Sequence, residues 1–188
     1  MNANPPPPIE CRSVLVLGGA RSGKSGYALA LAEQTARARI YLATGSAGDD
    51  EMAARIARHQ AERGDGWTTV EEPLALVEAL QAQARADRAL LVDCLTFWVA
   101  NAMFAQRDLA IETKRLCAAI PTLSGPVVFV SNEVGAGLVP ETKLGRAFRD
   151  WQGRVNQDVA RACDGVVLVA AGLPTLLKPS SAPQFALR

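Results

Sequence analysis

The sequence predicts an α/β protein, a mostly parallel β-sheet with helices packed on both faces in three layers. Three observations predict it. Short apolar runs alternate with longer amphipathic ones along the chain. The first apolar run leads straight into a glycine-rich loop and then a helix-like stretch. The 188 residues, 49% of them hydrophobic, suffice for one sizeable core and are too few for two comfortable ones.

The elements follow in order. Residues 1–10 contain four consecutive prolines and read as a flexible, extended tail. Buried strands are expected at 13–17, 40–43, 89–93, 127–131 and 166–170, each short, mostly apolar and mostly bounded by turn residues or charges. Helices are expected at 24–36, 50–63, 74–86, 95–106, 111–120 and 141–162. Residues 11–178 thus form a single domain, and the Pro/Ser-rich residues 179–188 a loose C-terminal tail. In such a sheet, ligands bind outside the carboxyl ends of the strands.

Composition narrows the function. Lys plus Arg number 20 and Asp plus Glu 19, so nothing in the net charge of +1 favours nucleic acid or an acidic membrane as partner. The chain has four cysteines, no C-x-x-C pair and one histidine, which argues against a structural zinc site. Cys94 and Cys163 lie in or beside apolar segments and read as small core residues, which fits a reducing compartment. The N-terminus lacks the apolar stretch of a signal peptide, and no run reaches the ~18 residues of a membrane span. A soluble, cytoplasmic protein is expected.

The loop after the first strand is Gly18, Gly19, Ala20, Arg21, Ser22, Gly23, Lys24 and Ser25, a full G-x-x-x-x-G-K-[ST] phosphate-binding motif. The glycines let the loop curl so that backbone N–H groups converge on phosphates, and the following helix adds its dipole. Lys24 can reach the β- and γ-phosphates, and Ser25 can ligate Mg²⁺. Asp93 ends the run Ala89-Leu-Leu-Val-Asp93, where a P-loop protein places its Mg²⁺-organising carboxylate. The other reading of Asp93 is an N-cap for the helix that follows. Transfer of a phosphoryl or nucleotidyl group from ATP or GTP is the expected chemistry. The guanine-reading N-K-x-D of small regulatory GTPases is missing, because the segment after residues 127–130 is Ser131-Asn-Glu-Val-Gly135.

His59 is the lone histidine. It shares a stripe at helical spacing with Met52, Ile56 and Arg63, so it points inward or along the protein body. From position alone it reads either as a boundary histidine or as a nucleophile. An imidazole nitrogen can hold a nucleotidyl group, with Arg55 and Arg63 neutralising phosphate charge.

An ordered set of motifs extends beyond the phosphate loop. It includes Tyr41-Leu-Ala-Thr44, Asp49-Asp-Glu-Met-Ala-Ala-Arg-Ile56 and Trp67-Thr-Thr-Val-Glu-Glu-Pro73. Later come Asn132-Glu-Val-Gly135, Val139-Pro140, Phe148-Arg-Asp150 and Gly153-Arg-Val-Asn-Gln157. Over residues 13–178 the chain resembles the bifunctional adenosylcobinamide kinase / adenosylcobinamide-phosphate guanylyltransferase family of cobalamin biosynthesis. The resemblance implies a RecA-like P-loop NTPase fold and a homotrimer. It implies phosphorylation of adenosylcobinamide by ATP or GTP, then transfer of GMP through a guanylyl-histidine at His59, releasing pyrophosphate. It implies nucleotide contacts at Gly18 to Ser25, at Thr44, Gly45 and Ser46, at Gln60, Ala61, Glu62 and Arg63, and at Glu71 and Asp93. The chain departs from the family where Arg58 replaces the first of two adjacent histidines common in members, and where Gln60 replaces a frequent lysine.

Other residues keep two readings. Asn132 and Glu133 could hold Mg²⁺ or the corrinoid arm, or cap the next loop. Trp67, Trp98 and Trp151 could wall a corrin ring, although core packing suits each singly. Arg146, Arg149 and Arg154 read mostly as solvated charges, one of which could contact a phosphate or a neighbouring subunit.

Overall fold

The computed structural model describes residues 9–35, 37–45 and 65–180. The helix expected at 50–63 lies outside the described residues, and with it His59, Gln60, Ala61, Glu62 and Arg63; Ser46 does too. The described elements are β1 (Ser13–Gly18), α1 (Lys24–Glu33), β2 (Ala38–Ala43), β3 (Trp67–Glu71), α2 (Leu76–Gln83), β4 (Arg88–Asp93) and α3 (Leu95–Phe104). There follow α4 (Leu109–Ala119), a 3₁₀ turn (Ile120–Thr122), β5 (Val127–Asn132), α5 (Lys143–Ala162), β6 (Gly165–Ala170) and β7 (Leu173–Lys178).

The strands form one sheet in the order β3-β2-β4-β5-β1-β6-β7. Every pairing is parallel except the β6–β7 hairpin. The five strands expected from apolar runs are all present, and all are interior. The two that composition did not mark are the edges. In β3 most side chains are exposed and in β7 nearly all are, so neither carries the apolar signal of a doubly covered strand.

Alternation along the interior strands sorts side chains onto two cores. Leu15, Leu42, Leu90, Val92 and Phe129 pack against α2, α3, α4 and α5 on one face. Val16, Tyr41, Leu91, Val130 and Val169 pack against Ala28 and Ala32 of α1 on the other. Helices on both faces of a mostly parallel sheet make the three-layer α/β/α architecture that the sequence predicts.

Local signals set the helix ends. Asp108 caps α4 by accepting from the backbone N–H groups of Ala110 (2.9 Å) and Ile111 (3.1 Å). Thr142 caps α5 through Oγ1, which accepts from Gly145 N at 3.0 Å. Lys178 from the last strand closes the far end of α5, its ammonium donating to the carbonyls of Ala160 (3.1 Å), Arg161 (3.0 Å) and Cys163 (2.5 Å). Cys94 and Cys163 are core residues as expected, and burial pushes their thiols up to about 11 and about 12.

Candidate nucleotide site

The carboxyl end of β1 turns sharply into α1 through the glycine-rich loop. Arg21 and Gly23 both have left-handed backbone, with φ of 56° and 92°. Gly23 adopts it without a Cβ penalty; Arg21 is a strained non-glycine position of the kind found where a loop is shaped for a ligand. Gly18 is needed for a different reason. A Cβ there would sit 2.3 Å from Ser22 Oγ and 2.6 Å from Val169 O, so any side chain would break the curl of the loop.

The loop is held from two sides. Ser22 N donates to Gly19 O at 3.3 Å, and Gly172 N donates to Ser22 O at 2.8 Å. Gly172 belongs to the tight β6–β7 turn, where Ala171 (φ 51°) and Gly172 (φ 78°) take the positive dihedrals of a primed hairpin turn. The α1 N-cap is Gly23 and offers no side-chain acceptor to the first helical N–H groups, which suits an anion at that helix end. Lys24 is buried along the loop, with Nζ donating to Gly19 O at 3.1 Å. Ser22 Oγ is also buried and makes no hydrogen bond among the described residues. A curled loop that a Cβ would fill, a helix start without a side-chain cap, a lysine folded over it and an orphaned hydroxyl fit a nucleotide's phosphates.

The neighbouring strand ends bring acids to the same side. Ala43 of β2 pairs with Glu71 of β3 and with Asp93 of β4, so both acids flank one position at the carboxyl edge. Asp93 shares strand parity with Leu91, which packs on the α1 face. Its Oδ2 accepts from Tyr41 Oη at 2.9 Å. The N-cap of α3 is Cys94, with no side-chain cap bond, so the capping reading of Asp93 is set aside. Ser25 stands in the first turn of α1. Ser25 and Asp93 both carry hard oxygen atoms, the donor type that Mg²⁺ takes.

Thr44 is fully buried and acts as a strut. Its Oγ1 donates to Cys94 O (2.6 Å) and accepts from Cys94 N (2.9 Å), next to the cis Asp93–Cys94 peptide bond. Gly45 follows it, where a Cβ would lie 3.3 Å from the Phe97 ring. Asn101 Nδ2 donates to Thr44 O (2.8 Å) and Pro73 O (3.2 Å), tying α3 to the ends of β2 and β3.

The tryptophans do not gather into one wall. Trp98 is a core residue that donates to Leu74 O at 3.1 Å, Trp67 packs edge-on to Tyr41, and Trp151 lies under Arg154. Glu133 Oε1 accepts from Gly135 N at 2.8 Å and so caps its own turn. Arg146 donates to the carbonyls of Pro140 and Glu141, a backbone clamp. Sequence reasoning missed Tyr41 and Asn101 as supports of this end of the sheet, because what they hold lies dozens of residues away in the chain.

Fold and loop together define a P-loop nucleotide-binding protein of the RecA-like kind. Solved structures of the same fold include the type III secretion ATPase EscN of enteropathogenic E. coli (TM-score 0.54, 11% identity, covering 86% of this chain and 43% of that one). They also include the RadB recombinase (TM-score 0.50, 14% identity, covering 83% and 73%). The chain belongs to the cobinamide kinase / cobinamide phosphate guanyltransferase family, whose model matches residues 14–177. It is accordingly an enzyme with two transferase activities. It is 45% identical over 166 residues to a bifunctional adenosylcobalamin biosynthesis protein of Pseudomonas aeruginosa, covering 87% of this chain and 96% of the relative. It is 39% identical over 180 residues to the corresponding Escherichia coli K12 protein, covering 88% and 99%.

Proposed function

We propose that the chain phosphorylates adenosylcobinamide and then guanylylates the product, using nucleotide held by the Gly18–Ser25 loop. The observation that carries the reading is this loop, shaped for phosphates, in a chain of this family. In the first step the hydroxyl of the corrinoid's aminopropanol arm attacks the γ-phosphorus of ATP or GTP, and the nucleoside diphosphate leaves. Lys24 and the loop N–H groups stabilise the charge that builds on the transferring phosphoryl group. Ser25 and Asp93 would hold Mg²⁺, which supplies further neutralisation at the phosphates.

In the second step a neutral His59 nitrogen attacks the α-phosphorus of GTP and pyrophosphate leaves. The phosphate oxygen of the corrinoid then attacks the same phosphorus, and the imidazole is released with adenosyl-GDP-cobinamide formed. A covalent carrier divides one difficult displacement into two easier ones. Thr44, Gly45, Ser46, Gln60, Ala61, Glu62, Arg63 and Glu71 are proposed as further nucleotide contacts. The proposed assembly is a homotrimer that takes no nucleic acid. A cytoplasmic setting is supported by four free thiols and by the lack of any helix, among the described residues, long and apolar enough to cross a membrane.

The test is covalent labelling. Protein incubated with Mg²⁺ and α-labelled GTP, without corrinoid, should retain an acid-labile, alkali-stable label after denaturation, and His59→Asn should not. Protein that binds GTP yet never takes the label would sink the covalent step and leave a kinase alone.

A further inference from the structure

Beneath the carboxyl end of the sheet lies a buried polar cluster that neither transfer step uses. Ser131 and Gln152 are fully buried and Asn156 nearly so, at 4% exposure. Gln152 and Asn156 are one helical turn apart on α5, on the same inward stripe as the core residues Val155 and Val159. An apolar residue would be the cheaper occupant of such a stripe, because buried polar groups carry a desolvation cost unless they are paired.

The hydrogen bonds fix the orientation of Ser131 and Asn156, whereas Gln152 Oε1 is buried with no hydrogen-bond partner among the described residues. Asn156 Oδ1 lies 2.6 Å from Ser131 Oγ and 2.9 Å from Gln152 Nε2. Gln152 Nε2 also donates to Ser131 Oγ at 2.8 Å. Ser131 has one proton and gives it to Asn156 Oδ1, while Gln152 gives one proton to each neighbour. A flipped Asn156 amide would set its NH₂ against that of Gln152. The Asn156 NH₂ is therefore directed to one remaining acceptor, the carbonyl of Asn132, at 3.0 Å.

Asn132 is the last residue of β5, and it pairs with Gly18, the first residue of the phosphate loop. Its N–H donates to Thr96 Oγ1 of α3 at 2.9 Å. The next N–H, of Glu133, donates to Gly18 O at 3.0 Å. The end of β5 is thus gripped by α5 through its carbonyl and by α3 through its N–H, and is bonded directly to the start of the loop.

We propose that Asn156, oriented by Gln152 and Ser131, is a positioning residue that fixes the Asn132–Glu133 strand end against the phosphate loop for the transfer steps. This rests on the loop being the nucleotide site.

Asn156→Asp tests it with almost no change of shape. The carboxylate loses the side-chain donor to Asn132 O and faces that carbonyl with like charge. The protonated acid restores the donor. Burial beside a carbonyl raises the acid's titration towards neutrality. Steady-state kinase assays with adenosylcobinamide and ATP are run on both proteins between pH 6 and 8.5. The variant-to-wild-type ratio of kcat should fall about 10-fold as pH rises, with KM for ATP changed less than about 3-fold. A ratio constant across pH, or a loss confined to KM, overturns the proposal.

Thr96→Val removes the second grip from outside the cluster. It should lower kcat about 3- to 10-fold with no pH dependence relative to wild type. If Asn156→Asp does not fold, Thr96→Val decides, and a kcat within two-fold of wild type overturns the proposal. Fluorescent GTP binding by wild type and Lys24→Ala is measured alongside. Binding that is indifferent to Lys24 would fail the nucleotide-site reading itself, separately from the positioning role.

Discussion

The two ends of the sheet are built on opposite plans. At the amino end, the structure closes on itself. The Asp164 carboxylate accepts from Arg12 N (2.9 Å), Ser13 N (3.0 Å) and Ser13 Oγ (2.9 Å), joining the starts of β1 and β6. Lys178 seals three carbonyls at the end of α5. At the carboxyl end, the backbone takes four positive-φ residues, Arg21, Gly23, Ala171 and Gly172, and leaves Ser22 Oγ buried without a hydrogen bond among the described residues. At the amino end the polar groups of Asp164 and Lys178 are satisfied internally and so serve stability. The carboxyl end keeps strained backbone and donors shaped for an outside anion and so serves binding.

Substitutions can break that contrast. The largest effect is expected at the carboxyl end. Lys24→Ala should lower kcat/KM for phosphoryl transfer by about 100-fold or more, with little change in melting temperature. An equal loss of stability would mean that the lysine is chiefly structural. At the amino end the pattern should invert. Lys178→Met should cost about 1.5–3 kcal/mol of unfolding free energy, read by urea denaturation, and leave kcat within about two-fold. Activity falling in step with stability would erase the division between the ends.

The smallest effect is a pH dependence. Burial pushes the Asp164 carboxyl up. The hydrogen bonds from Arg12 and Ser13 and the charge of Lys178 outweigh it and hold the group below the usual carboxylate range. A carboxyl depressed on folding contributes stability that is full above its unfolded value of about 3.9 and is lost as pH falls through the folded value. The melting-temperature gap between wild type and Asp164→Asn should therefore be widest near pH 7 and narrow below about pH 4. A gap that stays constant down to pH 2 would show that the carboxylate charge is not what joins these strands.

How much of this was legible depended on whether a signal was local. The interior strands announced themselves because both of their faces are covered, so Leu90, Leu91 and Val92 are consecutive and all buried. The phosphate loop was legible as a motif because its glycines lie close together in the chain, although the Gly172 turn that holds it was not. The edge strands were not, because β3 and β7 have little to bury. The α4 start was placed at 111, two residues late, although the Asp108 cap was a readable signal. The pairing of Asp93 with Tyr41 and the cluster of Ser131, Gln152 and Asn156 join residues 52, 21 and 25 positions apart. No periodicity encodes such contacts; the sheet order creates them.

That sheet order also governs when the phosphate loop can take its final form during synthesis. The loop is made before β5 and β6, yet these are the two neighbours of β1, and the turn that bonds Ser22 comes later still, at Gly172. A growing chain that ends before residue 127 offers β1 neither of its neighbouring strands. Only when the chain has been made as far as Gly172 can that turn reach the loop. The nucleotide pocket is thus encoded at Gly18 but completed only at Gly172, so a chain cut before Gly172 would carry the motif intact without the partners that shape it.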